Sequence, residues 1–169
     1  MHVDKITVLG IGNIILKDEG FGVHIVEKLQ QEYSFPANVE VLDGGTLGME
    51  LMNYIIGTDK LIVVDAISGA SAPGTFFRFV NAQVKAYFQE KVSMHELGIQ
   101  DVLAALEVIE QPVKDVIVMG AQPYIVDAGV GLTEDMAALV EKTKNLVLEQ
   151  LKEWQVEPAL KTDLIVNKV

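Results

Sequence analysis

The sequence contains no cysteine. Disulfides, thiolate nucleophiles and cysteine-ligated zinc are therefore excluded, and any metal must be held by His, Asp, Glu, backbone carbonyls or water. Basic residues are scarce: 13 Lys and Arg stand against 24 Asp and Glu, for a net charge of −11. Phosphate backbones need a basic face, so nucleic acid is not expected as a partner, and anionic membrane surfaces are disfavoured for the same reason. No apolar run approaches the length that spans a bilayer. Met1-His2-Val3-Asp4-Lys5 leads straight into the first apolar run, with no room for a signal peptide, so the default expectation is a cytoplasmic location. Two phosphate-binding signatures are also missing. No Gly-Lys-Ser/Thr follows the glycine-rich turns, and Ile15 stands where the dinucleotide fingerprint has its third glycine. Asp43 falls further along than the ribose-binding acid of that fingerprint. A Rossmann-type nucleotide-binding module thus keeps only the strand–glycine–helix start in its favour.

What is present is a globular chain. Half of its 169 residues are apolar, too many for disorder and enough to bury a single core. The apolar run Ile6–Leu9 reads as a buried strand, followed by Gly10-Ile11-Gly12-Asn13 and Asp18-Glu19-Gly20-Phe21-Gly22. Phe21, Ile25, Val26, Leu29 and Tyr33 then share one helical face. Val39 to Asp43 reads as a second strand, ending in the turn Gly44-Gly45-Thr46-Leu47-Gly48. A helix with Met52, Ile55 and Ile56 inward and Gly57 as C-cap comes next. Leu61-Ile62-Val63-Val64-Asp65 carries four consecutive apolar residues, as a strand buried on both faces requires. After the small-residue loop Gly69–Gly74, Thr75–Val80 reads as a strand. Its short connection forbids a parallel crossover, so it is expected as an antiparallel edge.

A short helix is compatible with Ala82–Val92. The next helix begins either at a capping box, Ser93 with Glu96, or after Gly98; it continues through Val102, Leu103, Leu106 and Ile109 and stops before Pro112. Val116–Gly120 is the last strand, Ala121–Leu132 a loop, and about Glu134 to Trp154 a long helix. The order predicts an α/β fold of three layers, α-β-α, around a mostly parallel twisted sheet of about five strands with one antiparallel edge strand. Residues 1–158 form one domain, and 159–169 is an unassigned tail.

Three metal-competent residues come at related places: Glu19 after the first strand, Asp65 at the end of the third, His95 at the entry to a helix. In a mostly parallel sheet the C-terminal strand ends share one edge. Glu19 and Asp65 lie there by topology, and His95 can reach it. Two carboxylates and one imidazole make an open three-ligand site with room for water or a substrate group. Singly, each has an ordinary explanation. Asp18 can cap the first helix with Glu19 as its dipole partner, Asp65 can hold a turn, and His95 can be a first-turn residue. His24 and His2 read as non-functional.

Taken together the pattern resembles the nickel–iron hydrogenase maturation proteases. Gly10-Ile11-Gly12-Asn13 with Asp18-Glu19-Gly20 and Gly22 is the most specific block. Asp43-Gly44-Gly45-Thr46, Val64-Asp65-Ala66, His95 with Gly98 and Asp101, and Met119-Gly120-Ala121-Gln122-Pro123 continue it. The match runs from Ile6 to about Leu151; Ala121 is a smaller residue than expected before Gln122-Pro123. The resemblance implies an endopeptidase that removes a C-terminal extension from the precursor of a hydrogenase large subunit already carrying nickel. Glu19, Asp65 and His95 are then the catalytic and metal-contacting residues, the nickel is supplied by the substrate, and zinc or cadmium can act as a surrogate divalent ion. Asp43 is a candidate for orienting His95 or receiving a proton. A non-catalytic hydrogenase assembly chaperone on the same scaffold is the competing reading. Oligomeric state does not follow from any of these features.

Overall fold

The computed structural model describes residues 2–90 and 94–161, and of residues 88–90 and 94–97 it describes the backbone. The elements run β1 (Ile6–Ile11), α1 (Phe21–Glu32), β2 (Tyr33–Ser34), β3 (Val39–Gly45), α2 (Met52–Ile55), β4 (Lys60–Ala66), β5 (Phe76–Val80), α3 (Ala82–Glu90), α4 (Met94–Val108), β6 (Asp115–Ala121), α5 (Glu134–Glu153) and β7 (Ala159–Leu160). Single 3-10 turns, Lys17–Gly20 and Met49–Leu51, lead into α1 and α2. The main sheet has the order β3-β1-β4-β6-β5. Its first four strands are parallel, and β5 pairs antiparallel with β6 at the edge, as its short connection to β4 dictates.

Strands β1, β4 and β6 are buried nearly end to end, and the period of two sorts their side chains into two cores. Ile6, Val8, Ile62, Val64, Ile117 and Met119 face α1 and α5. Leu9, Ile11, Leu61, Val63, Val116 and Val118 face α2, α3 and α4. In the first layer, Phe21, Ile25, Val26 and Leu29 of α1 are fully buried, and the Phe21 ring alone contributes about 2–3 kcal/mol by leaving water. A buried cation fastens α5 to α1: Lys144 Nζ bonds Glu32 across the helix pair at 2.5 Å and Glu141 on its own helix at 2.7 Å. Burial lowers the Lys144 pKa, and the bonds to Glu141 and Glu32 overcompensate, so it is raised overall.

Three details depart from expectation, and the start of the tail, left unassigned by the sequence, is placed. The helix after β3 is a single turn; Ile56, at its C-cap, adopts an extended ψ of 132° and leaves the helix, so it is exposed rather than inward. Ile109 lies beyond the end of α4, where the chain turns out through a left-handed Glu110 (φ 59°), and is exposed as well. The start of the tail is docked: Ala159–Leu160 pairs antiparallel with Tyr33–Ser34, and the Lys161 amide donates to the Glu32 carbonyl. Asp18 does not cap α1, whose N-cap is Gly20 with no side-chain bond. The capping box at Ser93 and Glu96 and the tail from residue 162 lie outside the described residues.

Candidate active site at the C-terminal edge of the sheet

Strand order alone marks one crevice. From β1 the chain crosses through α1 to β3 on one side, then jumps back through α2 to β4 on the other. The direction of winding reverses between β1 and β4, and at such a point the loops diverge and leave a cleft outside the C-terminal strand ends. Glu19 sits on the 3-10 turn that follows β1, and that turn packs against β4. Asp65 is the penultimate residue of β4. The two carboxylate residues therefore flank the switch point from adjacent strands, as the sequence pattern demanded.

Close backbone packing holds this geometry. Gly12 has φ +144°, and a Cβ there would lie 2.0 Å from the Glu19 carbonyl oxygen. A Cβ on Gly22 would lie 2.0 Å from the Val64 carbonyl oxygen, so α1 rests directly on the end of β4. Any side chain at either position would push the Glu19 turn or the helix away from Asp65. The two acids differ in setting: Asp65 is only 8% exposed, whereas Glu19 is half-buried on its turn. By strand alternation Asp65 falls on the same side of the sheet as Leu61 and Val63, the layer that contains α4.

The third residue is brought to this edge by a detour. Antiparallel β5 carries the chain to the opposite edge, where the Asn81 amide donates to the Val116 carbonyl and its Oδ1 accepts from the Val116 amide at the start of β6. Helix α3 brings the chain back, and α4 begins at the C-terminal edge. Gly98 marks its position, since a Cβ there would meet Gly48 Cα at 3.0 Å and the Leu47 carbonyl oxygen at 3.2 Å, in the loop after β3. His95 lies one turn earlier, in the first turn of α4; its side chain is outside the described residues.

Asp43 is exposed, and its carboxylate accepts from the Gly45 amide at 2.8 Å, holding the Gly44–Gly45 turn. His24 is half-buried in α1, with Nδ1 4.0 Å from Glu27 Oε2. Sequence reasoning missed the work done by Asp18. It is fully buried, and its carboxylate accepts from the amides of Tyr124 and Ile125 at 3.0 Å, from the Thr133 amide at 2.7 Å and from the Thr133 hydroxyl at 2.9 Å. The loop between β6 and α5 is thereby tied to the loop after β1. One signal was available: an acid three residues ahead of the helix is misplaced for capping it. The group of three metal-competent side chains among the described residues lies at the other edge, where one ligand atom each from His2, Asp4 and Asp59 come within 4.8 Å of one another. There the acids are already paired, Asp59 with Lys114 at 2.7 Å and Asp4 with Lys60 at 3.0 Å.

Among the described residues no helix is long and apolar enough to cross a membrane. A family model for hydrogenase maturation proteases matches residues 23–150. The chain is 44% identical to the hydrogenase 2 maturation protease of Escherichia coli K12 over 154 residues, which covers 90% of this chain and 94% of that protein. It is 38% identical over 155 residues to the hydrogenase expression/formation protein HupD of Bradyrhizobium diazoefficiens, covering 90% of this chain and 81% of that one. Among solved structures, the hydrogenase maturating endopeptidase HybD from E. coli superimposes with a TM-score of 0.89 at 42% identity, over 94% of this chain and 99% of that one. With two carboxylates at the switch point of a fold shared so completely with an endopeptidase, the conclusion is direct: this chain belongs to the hydrogenase maturation protease family.

Proposed function

We propose that this endopeptidase removes the C-terminal extension from the precursor of a nickel–iron hydrogenase large subunit, and that it recognises the precursor by the nickel already bound to it. Glu19, Asp65 and His95 contact that nickel, which belongs to the substrate. The observation that carries the reading is the placement of Glu19 and Asp65 on either side of the β1–β4 switch point. The start of α4 at the same edge supports the inclusion of His95. Carboxylate and imidazole donors suit nickel and zinc equally, so zinc or cadmium alone should occupy the same donors.

Peptide hydrolysis adds water to the carbonyl carbon and delivers a proton to the leaving amine. The substrate's metal supplies Lewis-acid polarisation. Glu19, half-buried on a short turn, is the carboxylate with freedom to accept the proton of the attacking water and pass it on. Asp65, fixed near the end of β4, serves as the rigid donor. A nucleotide-binding role is disfavoured by the same geometry: the turn leading into α1 carries Glu19 where a phosphate would have to sit.

The test is incubation with nickel-loaded and nickel-free precursor followed by mass measurement. Loss of the extension from the loaded form alone is expected. A loaded precursor that binds yet keeps its full mass would make the protein a chaperone rather than a protease.

A further inference from the structure

The loops after β1 and β6 expose apolar side chains in an unusual concentration. Ile14, Ile15, Tyr124, Ile125, Val126 and Val130 are 44%, 59%, 38%, 44%, 49% and 83% exposed. Single exposed apolar residues are ordinary, but a group on one rim is not. These six share a rim because the two loops are laced together. The Gly129 amide donates to the Ile15 carbonyl, the Lys17 amide to the Gly129 carbonyl and the Asp18 amide to the Ile125 carbonyl. The buried Asp18 carboxylate completes the lacing with its four bonds to Tyr124, Ile125 and Thr133. Folding thus commits a fully buried carboxyl group to holding apolar side chains out in water. That arrangement is costly for an isolated molecule and is recovered when a partner covers the rim.

We propose that this rim is a docking surface for the folded body of the protein substrate, distinct from the cleft that receives the bond to be cut; the identity of the partner rests on the function proposed above. Two observations select this occupant. The rim is continuous with the cleft, since Glu19 directly follows Asp18 and Ala121, at the root of the second loop, pairs with Ala66 beside Asp65. Its two loops lead into α1 and α5, which pack on one side of the sheet, whereas Asp65 falls on the α4 side. An extended tail alone would follow the cleft and leave the rim bare; a folded body joined to that tail would cover it. The rim is further poor in charge: residues 10–16 carry none, residues 121–133 carry only Asp127, and Lys17 lays its aliphatic stem against Gly129, in a chain of net charge −11. The partner surface it fits is apolar.

The experiment uses the double variant Ile15→Asp, Val130→Asp with nickel-loaded precursor. The KM for processing should rise about tenfold or more while kcat stays within about twofold, and the melting temperature should hold because both side chains are exposed. An unchanged KM overturns the proposal and leaves the protease reading standing. The two readings are separated further by capture of the precursor on Glu19→Gln protein, in which cutting is removed. Capture should persist in that variant and be lost when the rim substitutions are added; persistence in the triple variant overturns the proposal even if no cutting is ever observed. Sedimentation of the protein alone checks the other occupant: a dimer that dissolves on Ile15→Asp would assign the rim to a second copy of this chain instead.

Discussion

The two edges of the central sheet draw on the same residue types and use them in opposite ways. At the N-terminal edge Asp59 accepts from Lys114 Nζ at 2.7 Å, from the Lys5 amide at 2.9 Å and bonds His2 Nε2 at 3.0 Å. The Lys114 bond first, then that of the Lys5 backbone, hold its carboxyl down at about 2. At the C-terminal edge the carboxylate of Asp18 is held by three backbone amides and a hydroxyl. A lysine cancels the charge of the acid it binds, whereas backbone amides satisfy a carboxylate without bringing a counter-charge. The first edge groups a histidine and two acids as closely as a metal site would, yet its lysines have already neutralised it. Proximity of ligand types is therefore a poor guide to a site; placement at a topological switch point is a better one.

Substitution at matched positions tests that contrast most severely. Asp65→Asn should lower processing of the loaded precursor on the order of a thousandfold, with the fold intact by circular dichroism. Asp59→Asn, an equally conservative change across the sheet, should leave the rate within about twofold. Equal loss in both variants would mean that the edges are not functionally distinct. Binding of zinc or cadmium to the purified protein should follow the same division, weakening on Asp65→Asn and not on Asp59→Asn.

The stability ledger should divide the other way round from a simple count of charges. Asp18→Ala leaves three part-buried amides and a hydroxyl without their buried acceptor, which should cost about 3 kcal/mol. Asp59→Ala removes ion pairs whose lysine partner, Lys114, is 62% exposed, and such solvent-screened pairs add little to stability. Urea unfolding of the two variants measures both. A larger loss at Asp59 would reverse the ranking of the two edges.

This division also explains what could be read without coordinates. The layers, the parallel strands and the antiparallel edge followed from apolar periodicity and connection length, because both act locally or through short loops. Glu19 and Asp65 were placed on one edge by topology alone, and the glycines at 12 and 22 that press their elements together stood in the same motif. Asp18 was misread because its partners lie 106 to 115 residues away in sequence, and no local pattern reports a carboxylate that serves a distant loop. Ile56 and Ile109 were misread for a smaller reason: helical periodicity was extended past ends set by the extended backbone at Ile56 and the left-handed Glu110. The detour through β5 and α3, which returns the chain to the cleft before α4, was legible in the short connection before Thr75 and in the short helix compatible with Ala82–Val92, but its return to the cleft was not.

The smallest expected effect concerns pH. The Asp59 carboxyl titrates near 2 in the folded protein against an ordinary value of 3.8. A depressed carboxyl contributes stability that is fully present above its unfolded value and is lost as pH falls through its folded value. The stability difference between the wild-type protein and Asp59→Asn should therefore be constant above about pH 5 and shrink between pH 4 and pH 2, measured as the gap between their melting temperatures. High salt at neutral pH should shrink the same gap by screening the exposed Lys114, and should leave the loss on Asp18→Ala unchanged, because amide donors inside the protein are not screened by mobile ions. A gap that shrinks in acid yet ignores salt would mean that Asp59 is held chiefly by the Lys5 amide rather than by Lys114, and the contrast between a cation-held and an amide-held edge would fall.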